Sequence, residues 1–534
     1  MTHDTLPGAL PSRTMYQWFE QSALRLPDQP ALEVGDTVLT YAELRRLALV
    51  LAARIVRKHG GPPERVALAA ARSVGAYAGY LAIQRLGAAV VPLNPDHPAQ
   101  RNLDIAQRAG VTVALVGDRA TGLFGALPER HRPTVLELAD DERADPALLE
   151  AALQETLPPA PEDLDREAYL LFTSGSTGQP KGVPIRHRHF SPYLEHNIPR
   201  YAIGPGSRLS QVFGLTFDAH AFDLFATWGG GGTLVVPSAA DLYAPVDFIT
   251  ARKLTHWFSV PSVIREAQRL GTLPLGRCTT LRYSMFGAES VTVQHVALWR
   301  EVAPHSEIHN MYGPTEVAIC CADHQVEGDR SAWDGFTGGT VPIGTMYPGM
   351  EGVLLDEDGR EAGEGELCVR GPQRFDGYLD PRENTGRFLG YEHGGPVTVY
   401  DGTGPLTARH WYRTGDRVRR EKGLMVHCGR LDQQVKIRGH RVETGEVEAV
   451  VRRHPAVADV AVIALPTADG ETELVAAYAG REVDPARFDA WLRDQIPLHM
   501  VPARLTRLEG LPLNDNGKTD RNALARILGT PEGS

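Results

Sequence analysis

The first half of the chain alternates between two spacings of apolar residues. Thr40 and Glu43 form a capping box ahead of apolar positions with helical spacing, which predicts a helix starting directly after Thr40. Short apolar runs alternate with such helical stretches. We expect strands at residues 65–69, 87–93, 111–116, 168–172 and 233–236, and a helix at 76–86. Strands that alternate with helices predict a mostly parallel sheet with helices on both faces.

The pattern changes near residue 352. Shorter apolar runs between glycine-containing turns, at 352–355, 365–369 and 423–427, are typical of a small β-rich subdomain. A compact α+β block follows Asp432. We therefore predict an α/β fold with a large N-terminal domain at residues 1–431, built of mostly parallel sheets flanked by helices plus the β-rich subdomain. A small, mobile α+β C-terminal domain is expected at residues 432–534.

The composition is that of a folded, soluble enzyme. Of the 534 residues, 42% are hydrophobic and 23% are charged, which excludes disordered, collagen-like and disulfide-rich classes. The formal net charge of −11 makes nucleic acid and anionic membranes poor partners, and we expect neither. The sequence opens without a basic leader and apolar run, and it contains no stretch of about 18 apolar residues. Neither a signal peptide nor a membrane span is expected.

Cysteine and histidine usage adds little chemistry. The five cysteines are scattered without Cys-x-x-Cys spacing, which argues against a disulfide framework or a zinc site and favours a reducing, cytoplasmic setting. The basic run at residues 185–189 contains His187 and His189 and could indicate a metal or nucleic-acid site. We interpret it as the solvated start of a helix.

The sharpest local signal is the run Thr-Ser-Gly-Ser-Thr-Gly-Gln-Pro-Lys-Gly at residues 173–182, directly after a predicted strand. Its glycines allow close approach of the backbone to a ligand, and successive N–H groups can form an anion-binding nest. Four hydroxyls and Lys181 add donors for phosphate oxygens. The run is not a Walker A loop, because Pro180 replaces the second glycine and Gly182 follows the lysine. On this run alone, a phosphate loop and a flexible Ser/Gly loop both remain open.

Four further motifs follow in order. They are Asn-Met-Tyr-Gly-Pro-Thr-Glu at 310–316, Tyr-Arg-Thr-Gly-Asp at 412–416, Gly-Arg-Leu-Asp-Gln-Gln-Val-Lys-Ile-Arg-Gly at 429–439 and Leu-Asn-Asp-Asn-Gly-Lys at 513–518. In residue types, order and spacing the chain resembles the adenylate-forming superfamily. It is most similar to the amino-acid adenylation domains of nonribosomal peptide synthetases. The resemblance extends from Thr40 to about residue 528.

This resemblance implies an ATP-dependent acid–thiol ligase that works in two steps. A carboxylate attacks the α-phosphate of ATP to give an acyl-adenylate and pyrophosphate, and a thiol then attacks the adenylate to form a thioester. The residues implied in ATP binding are Thr173, Ser174, Gly175, Ser176, Thr177, Gly178, Lys181, Asn310, Met311, Tyr312, Gly313, Thr315, Asp416 and Arg430.

The resemblance also assigns individual roles at the nucleotide. Tyr312 is expected to stack on adenine, and Asn310 to hydrogen-bond the edge of the base. Asp416 is expected to accept hydrogen bonds from the ribose hydroxyls, which suits a carboxylate. Glu316 is expected to help hold Mg²⁺, a hard cation that prefers oxygen ligands. Thr315 would contact phosphate.

Lys518 is the expected catalytic residue. By resemblance, its ammonium bridges the substrate carboxylate and the nucleotide and stabilises charge in the transition state. Asn514 and Asp515 depart from the residues common in relatives, which we expect to alter loop rigidity only. Asp432 corresponds to a hinge about which the C-terminal domain first delivers Lys518 and then turns residues 434–443 toward the active site. A rigid second domain is the alternative.

The resemblance also gives an amino-acid pocket. Its residues are Asp218, Ala219, Phe222, Phe258, Met285, Gly287, Met311, Ile319 and Cys320, together with Lys518. Asp218 would pair with the substrate α-ammonium; alternatively, it is an ordinary helix N-cap. The rest of the lining is apolar, which favours a small or medium aliphatic side chain. The alternative is that some of these residues are plain core.

We therefore expect a stand-alone ligase that uses ATP and Mg²⁺ and transfers an amino acid to the phosphopantetheine thiol of a separate carrier protein. Only residues 529–534 follow the last predicted helix, so the carrier is expected in trans. One alternative is a ligase for a β-amino acid, D-alanine or proline. Others are an acyl-CoA or aryl-acid ligase and a catalytically inactive interaction protein that keeps the fold.

Overall fold

The computed structural model describes residues 12–141, 157–175, 179–328, 333, 335–336, 339–432, 434–467, 472–513 and 519–529. The helices in these ranges are α1 (Met15–Arg25), α2 (Tyr41–His59), α3 (Val74–Arg85), α4 (Ala99–Arg108), α5 (His187–Arg200), α6 (His220–Gly230), α7 (Pro245–Ala251), α8 (Ser262–Arg269), α9 (Val293–Val302), α10 (Thr444–Val451), α11 (Pro485–Arg493) and α12 (Arg521–Gly529). The strands are β1 (Pro30–Val34), β2 (Thr37–Thr40), β3 (Arg65–Ala69), β4 (Ala89–Leu93), β5 (Val113–Gly117), β6 (Thr134–Leu138), β7 (Glu167–Thr173), β8 (Lys181–Arg186), β9 (Arg208–Ser210), β10 (Thr233–Val236), β11 (His256–Ser259), β12 (Tyr283–Gly287), β13 (Glu307–Tyr312), β14 (Ala322–Gln325), β15 (Thr345–Met346), β16 (Glu351–Leu355), β17 (Glu364–Arg370), β18 (Phe388–Gly390), β19 (Thr398–Val399), β20 (Trp411–Glu421), β21 (Leu424–Arg430), β22 (Gln434–Ile437), β23 (His440–Glu443), β24 (Val457–Pro466), β25 (Thr472–Gly480) and β26 (Arg504–Leu508).

Helix α2 begins where the capping box predicts. The Thr40 hydroxyl accepts from the Glu43 N–H at 3.2 Å, and the Glu43 carboxylate accepts from the Thr40 N–H at 2.8 Å. These bonds satisfy donors that the first helical turn leaves unpaired. The helix ends at Gly60, whose φ of +90° is the left-handed conformation favoured at this position.

The largest sheet has nine strands in the order β15-β14-β13-β12-β11-β9-β10-β1-β2. Strands β1, β10, β9, β11, β12 and β13 run parallel, whereas β2 and β14 run antiparallel to their neighbours. Parallel strands place their carboxyl ends at one edge, where open α/β sheets bind ligands. The segments that follow β11, β12 and β13 therefore meet at one edge.

A second sheet has six strands in the order β6-β5-β3-β4-β7-β8. Strands β3, β4, β5, β6 and β7 are parallel. Helix α3 is buried along almost its whole length, as expected for a helix that is apolar all round. These two sheets confirm the predicted α/β class with mostly parallel strands.

The last third of the chain changes character, as the shorter apolar runs predict. Strands β16, β17, β20, β18 and β19 form an antiparallel sheet, and β21 pairs with β20. Strands β22 and β23 form a hairpin. Strands β24, β25 and β26 form a small mixed sheet that packs with α10 and α12.

The described residues form two compact units. One comprises the described parts of Met1–Pro95, Ala106–Leu171 and Gly182–Gly429; the other comprises those of Asp96–Ile105, Phe172–Lys181 and Arg430–Ser534. The last stretch of the second unit thus starts close to Asp432, and the predicted domain boundary there stays a prediction. Within the described ranges, no helix has the length and apolar character needed to cross a membrane.

The basic run at residues 185–189 begins helix α5 as predicted, but its histidines are not solvated. His187 and His189 are 1% and 0% exposed. Nδ1 of His187 accepts from the Met15 N–H at 3.2 Å, and Nδ1 of His189 accepts from the Arg186 N–H at 3.1 Å. The interpretation was wrong because helix α1, far earlier in the chain, covers this turn, and local sequence does not show that contact.

We expect acid to destabilise the protein through histidines that are buried in the neutral form. Burial lowers the pKa of His187 to about 3 and that of His220 to about 4, whereas an unperturbed histidine has a pKa of about 6.5. Between those pKa values the unfolded chain therefore binds more protons than the folded chain. The free energy of unfolding is at its full value above about pH 6.5 and decreases as the pH falls. At pH 5, each histidine should reduce the free energy of unfolding by about 1–2 kcal/mol.

Urea denaturation at pH 5, 6 and 7 and constant ionic strength measures this loss. His187→Asn should flatten the pH dependence, and His131→Asn, at an exposed position, should leave it unchanged. If His187→Asn and the unmodified protein lost stability equally between pH 7 and pH 5, His187 would not contribute as described.

Candidate active site

Asp416, on β20, is a buried carboxylate with donors on both oxygens. The residue is 4% exposed. The Tyr312 hydroxyl donates to Oδ2 at 2.6 Å, and Nε2 of His427 lies 3.2 Å from Oδ1. Burial, and then the Asp416 charge, raise the pKa of Tyr312 well above its usual value, so the hydroxyl stays protonated and donates. The carboxylate is thus held from two different sheets, by β13 and by β21.

Strand β13 carries three predicted site residues in succession. Side chains alternate between the two faces of a strand, so Asn310 and Tyr312 share one face and Met311 occupies the other. The Asn310 amide nitrogen donates to the carbonyl oxygens of Val341 at 3.2 Å and Pro342 at 2.8 Å. These bonds fix which end of the amide is the donor, so its oxygen is the end that can accept.

The turn after β13 is tightly built. A Cβ atom on Gly313 would lie 2.5 Å from both the Ile319 carbonyl oxygen and the Cys320 Cα, so only glycine fits. Ala318 and Ile319 have left-handed backbone, with φ of +57° and +80°, which is strained for a β-branched residue. The buried Gln373 amide donates to the Cys320 carbonyl at 2.8 Å and holds the strained turn in place.

Glu316 lies in the 3₁₀ turn Thr315–Val317 and is fully buried. Its Oε1 accepts from the Tyr378 hydroxyl at 2.7 Å, and that hydroxyl lies 3.2 Å from the Tyr412 hydroxyl. Mg²⁺ is commonly held by one or two carboxylates together with substrate phosphates. The described ranges contain no cluster of three or more His, Cys, Asp or Glu side chains able to hold a metal. The role of Glu316 in holding Mg²⁺ stays a prediction.

The predicted phosphate loop is described in part. Thr173, Ser174, Gly175 and Lys181 are described, whereas Ser176, Thr177 and Gly178 lie outside the described residues. A Cβ on Gly175 would lie 2.0 Å from the Gln179 carbonyl oxygen, so the loop requires glycine here. Within the second unit, the Gly175 N–H donates to the Glu446 carboxylate at 3.2 Å, and Arg101 pairs with the same carboxylate at 2.6 Å. The Gly175 N–H is thus paired with a carboxylate of the same unit, and the phosphate-binding role of the loop stays a prediction.

Arg430 and Asp432, predicted for the nucleotide and the hinge, pair with each other. Nε and Nη2 of Arg430 each lie 2.7 Å from one Asp432 oxygen. Burial acts to raise the pKa of Asp432, but the Arg430 guanidinium holds it below its usual value. Lys518 lies outside the described residues, so its catalytic role stays a prediction.

The structure brings four predicted pocket residues together at the carboxyl ends of β11, β12 and β13. Phe258 pairs in register with Met285, and Gly287 with Met311. A Cβ on Gly287 would lie 3.0 Å from the Met311 carbonyl oxygen and 3.6 Å from the Phe258 ring. Glycine at this position therefore leaves space between neighbouring strand ends.

Helix α6 and the turn after β13 supply the other apolar residues. The Phe222 ring meets that of Phe258 edge to face, with centroids 5.4 Å apart. One buried hydrophobic cluster contains Ala219, Phe222, Phe258, Met285, Met311, Ile319 and Cys320. The predicted apolar lining is therefore contiguous in the fold.

Asp218 directly precedes α6 and is 8% exposed. Ala219 is the N-cap residue of that helix, and its side chain makes no capping hydrogen bond. Burial raises the pKa of Tyr169 and of Tyr193, and the nearby Asp218 charge raises both further. Asp218 is thus a nearly buried carboxylate close to two buried phenols, and its pairing with a substrate ammonium stays a prediction.

Three residues that shape the site were not predicted: His427, Tyr378 and His220. Nδ1 of His220 lies 2.6 Å from the Phe217 carbonyl oxygen and Nε2 lies 3.1 Å from the Tyr80 hydroxyl, which fixes the turn that carries Asp218. His427 lies in a strand that the apolar pattern predicted, so the alternation of side chains along that strand could have indicated its position. Tyr378 lies in a loop, where the spacing of apolar residues gives no such indication.

The chain is similar to peptide synthetases. It is 31% identical over 538 residues to tyrocidine synthase 3 of Brevibacillus parabrevis, covering 98% of this chain and 8% of that protein. It is 33% identical over 523 residues to phosphinothricin tripeptide synthetase PhsC of Streptomyces viridochromogenes, covering 96% and 45% respectively. The chain thus spans less than half the length of these relatives.

Solved structures match along the whole chain. IdnL7 shares 34% identity, covers 98% of this chain and 100% of its own, and has a TM-score of 0.68. The adenylation domain AlmE of Vibrio cholerae, in complex with glycyl-adenosine-5′-phosphate, shares 26% identity, covers 99% of both chains and has a TM-score of 0.80. These likenesses confirm the predicted fold class.

Family profiles give the same result. The profile described as AMP-binding enzyme matches residues 19–379, and that of the AMP-binding enzyme C-terminal domain matches residues 446–518. The resemblance to the adenylate-forming superfamily, and more closely to peptide synthetase adenylation domains, is confirmed. The chain belongs to the AMP-binding enzyme family.

Proposed function

We propose that this enzyme uses ATP to activate an amino acid as its aminoacyl-AMP and transfers the aminoacyl group to the phosphopantetheine thiol of a separate carrier protein. Strand β13 carries the proposal. Side chains alternate along a strand, so Met311 and Tyr312, whose hydroxyl donates to Asp416, lie on opposite faces of β13. One strand thus separates a candidate acid site from a candidate nucleotide site. The glycyl-adenosine-5′-phosphate in AlmE joins both kinds of group in one molecule.

In the first step, the substrate carboxylate attacks the α-phosphorus, and the bond to the oxygen that bridges to the β-phosphate breaks. Pyrophosphate leaves. Donors of the loop at residues 173–181 hold the β- and γ-phosphates, and Asp416 accepts hydrogen bonds from the ribose. Lys518 bridges the two reacting anions and stabilises charge as it develops. A Mg²⁺ ion held by Glu316 would offset the phosphate charge.

In the second step, the carrier thiol attacks the carbonyl carbon of the adenylate. The acyl–phosphate bond breaks, AMP leaves with the bonding electrons, and the thiol proton passes to solvent. Rotation about Asp432 exchanges the Lys518 loop for residues 434–443 between the two steps. A reducing cytoplasm fits this chemistry, since all five cysteines are free thiols.

The proposed substrate carries an aliphatic side chain. Asp218 pairs with its α-ammonium, and Phe222, Phe258 and Met285 contact the side chain. A pocket for a polar side chain needs convergent hydrogen-bonding groups, and the lining supplies none beyond Asp218 and Lys518. Apolar pockets distinguish aliphatic groups by only about 1–3 kcal/mol per methylene. Valine, leucine and isoleucine should therefore all react, at different rates.

ATP–pyrophosphate exchange across a substrate panel tests the proposal. The panel comprises the L-aliphatic amino acids, D-alanine, proline, β-alanine, lysine, 3-methylbutanoic acid and benzoic acid. We expect the fastest exchange with one of valine, leucine or isoleucine, and at least about 100-fold slower exchange with the acids that lack an amine. If 3-methylbutanoic acid drove exchange as fast as leucine, Asp218 would not select an ammonium group. Exchange with no acid would contradict the enzymatic proposal.

A further inference from the structure

His427 is the second donor to the buried Asp416 carboxylate. It lies on β21, with Nε2 3.2 Å from Oδ1, and its side chain is 19% exposed against 5% for that of Asp416. A carboxylate is an acceptor only, so Nε2 must carry the hydrogen in this contact. His427 is therefore a donor here in whichever charge state it adopts.

Two donors on opposite oxygens fix the plane of a carboxylate. Tyr312 holds Oδ2 at 2.6 Å while His427 holds Oδ1, and the rings of these two residues lie 6.4 Å apart. The backbone is fixed as well, because the Asp416 N–H donates to the Thr414 hydroxyl at 3.0 Å and that hydroxyl donates to the Leu367 carbonyl at 2.7 Å. The carboxylate cannot rotate without breaking a hydrogen bond.

A fixed carboxylate can select between sugars. Each carboxylate oxygen accepts about two hydrogen bonds, so a protein donor on each is compatible with a ligand hydroxyl on each. Two neighbouring hydroxyls meet both oxygens only if the carboxylate plane has the correct orientation. A sugar with one hydroxyl would leave one oxygen without that ligand donor, which costs binding energy in a buried site.

We propose that His427 is a positioning residue that orients Asp416 for the ribose, so that the preference of the enzyme for ATP over deoxy-ATP depends on this imidazole. The inference rests on the proposed role of Asp416 as the ribose acceptor. His427 acts through Asp416 and is not a catalytic residue. Its effect falls on nucleotide binding and not on the amino acid.

Titration calorimetry with ATP, 2′-deoxy-ATP and 3′-deoxy-ATP, in the presence of Mg²⁺ and without amino acid, tests the proposal. His427→Phe keeps a ring but removes the donor. It should weaken ATP binding about tenfold and shrink the preference over at least one deoxy nucleotide about fivefold, as loss of one hydrogen bond to a charged group predicts. His427→Gln restores an N–H donor and should lie within about threefold of the unmodified enzyme.

The pattern across nucleotides separates positioning from a general structural role. A general loss of packing would weaken all three nucleotides equally, so an unchanged preference in His427→Phe would overturn the proposal. A His427→Gln variant no better than His427→Phe would also overturn it. His393→Phe, an exposed histidine in the same subdomain, serves as the control and should match the unmodified enzyme.

Asp416→Ala separates this inference from the proposed function. If it removes the preference for ATP while His427→Phe keeps it, the inference about His427 fails and the assignment of Asp416 stands. If Asp416→Ala leaves the preference intact, Asp416 is not the ribose acceptor, and the assignment and the inference both fall.

Discussion

Replacing Lys518 with alanine should lower the rate of adenylate formation by at least about 10²–10³-fold and leave ATP binding within about threefold. The ammonium is proposed to bridge the substrate carboxylate and the nucleotide, so its effect is largest when charge shifts between them. ATP itself is proposed to be held mainly by the phosphate loop, Asp416 and Tyr312. Pyrophosphate exchange measures the chemical step, and calorimetry with ATP measures binding.

Two variants make the Lys518 experiment specific. Lys518→Arg keeps the charge but replaces a compact ammonium with a planar guanidinium, and it should recover only part of the rate. Lys58→Ala, at an exposed position on α2, should behave as the unmodified enzyme. Equal loss of ATP binding and of exchange in Lys518→Ala would show that the residue binds the nucleotide and has no separate role in the chemical step.

Replacing Asp218 with asparagine should reduce kcat/KM for the amino acid by about 10²–10³-fold, because an ammonium bound in a buried site would lose its proposed charged partner. The apparent affinity for ATP should stay within about twofold, since the proposed partner of Asp218 is the amino acid and not the nucleotide. The relative rate with 3-methylbutanoic acid, which has no ammonium, should rise. Exchange assays with leucine and with this acid measure both effects.

The chain offers a matched control for this charge. Asp223 lies on α6, the helix that Asp218 precedes, and is 1% exposed. Burial raises its pKa well above the usual value, which favours the neutral form, so the uncharged asparagine is a mild replacement there. Asp223→Asn should leave the preference for amino acids unchanged. Loss of that preference in both variants would indicate damage to α6 and not removal of an ammonium partner.

Local features of the fold are well predicted from the sequence. The capping box at Thr40 starts α2, and the apolar runs at residues 65–69 and 87–93 coincide closely with β3 and β4. Such features depend on residues three or four positions apart, and their causes are visible in the sequence. The order of the strands does not follow from such local signals, because β1 pairs with β10, about 200 positions away in the sequence.

The candidate site shows the same difference between local sequence signals and contacts made by tertiary packing. The motif that contains Asn310, Tyr312 and Glu316 identifies the residues, but not what holds them. The Tyr378 hydroxyl reaches Glu316 from a loop 62 positions away in the sequence, and His427 reaches Asp416 from the neighbouring strand β21. The motif itself predicts neither contact, because each depends on how the chain folds back onto the motif residue. Motifs thus identify the candidate site residues, and tertiary packing determines how these residues are arranged.

Strand β13 has a consequence for how such enzymes diversify. On the proposed assignment, substitutions of Met311, Met285 or Phe258 would change the shape offered to the acid. Asn310 and Tyr312 lie on the opposite face of β13 from Met311. Natural drift or laboratory selection would then give the enzyme a new acid by a few point changes, with no need to rebuild the machinery proposed to consume ATP.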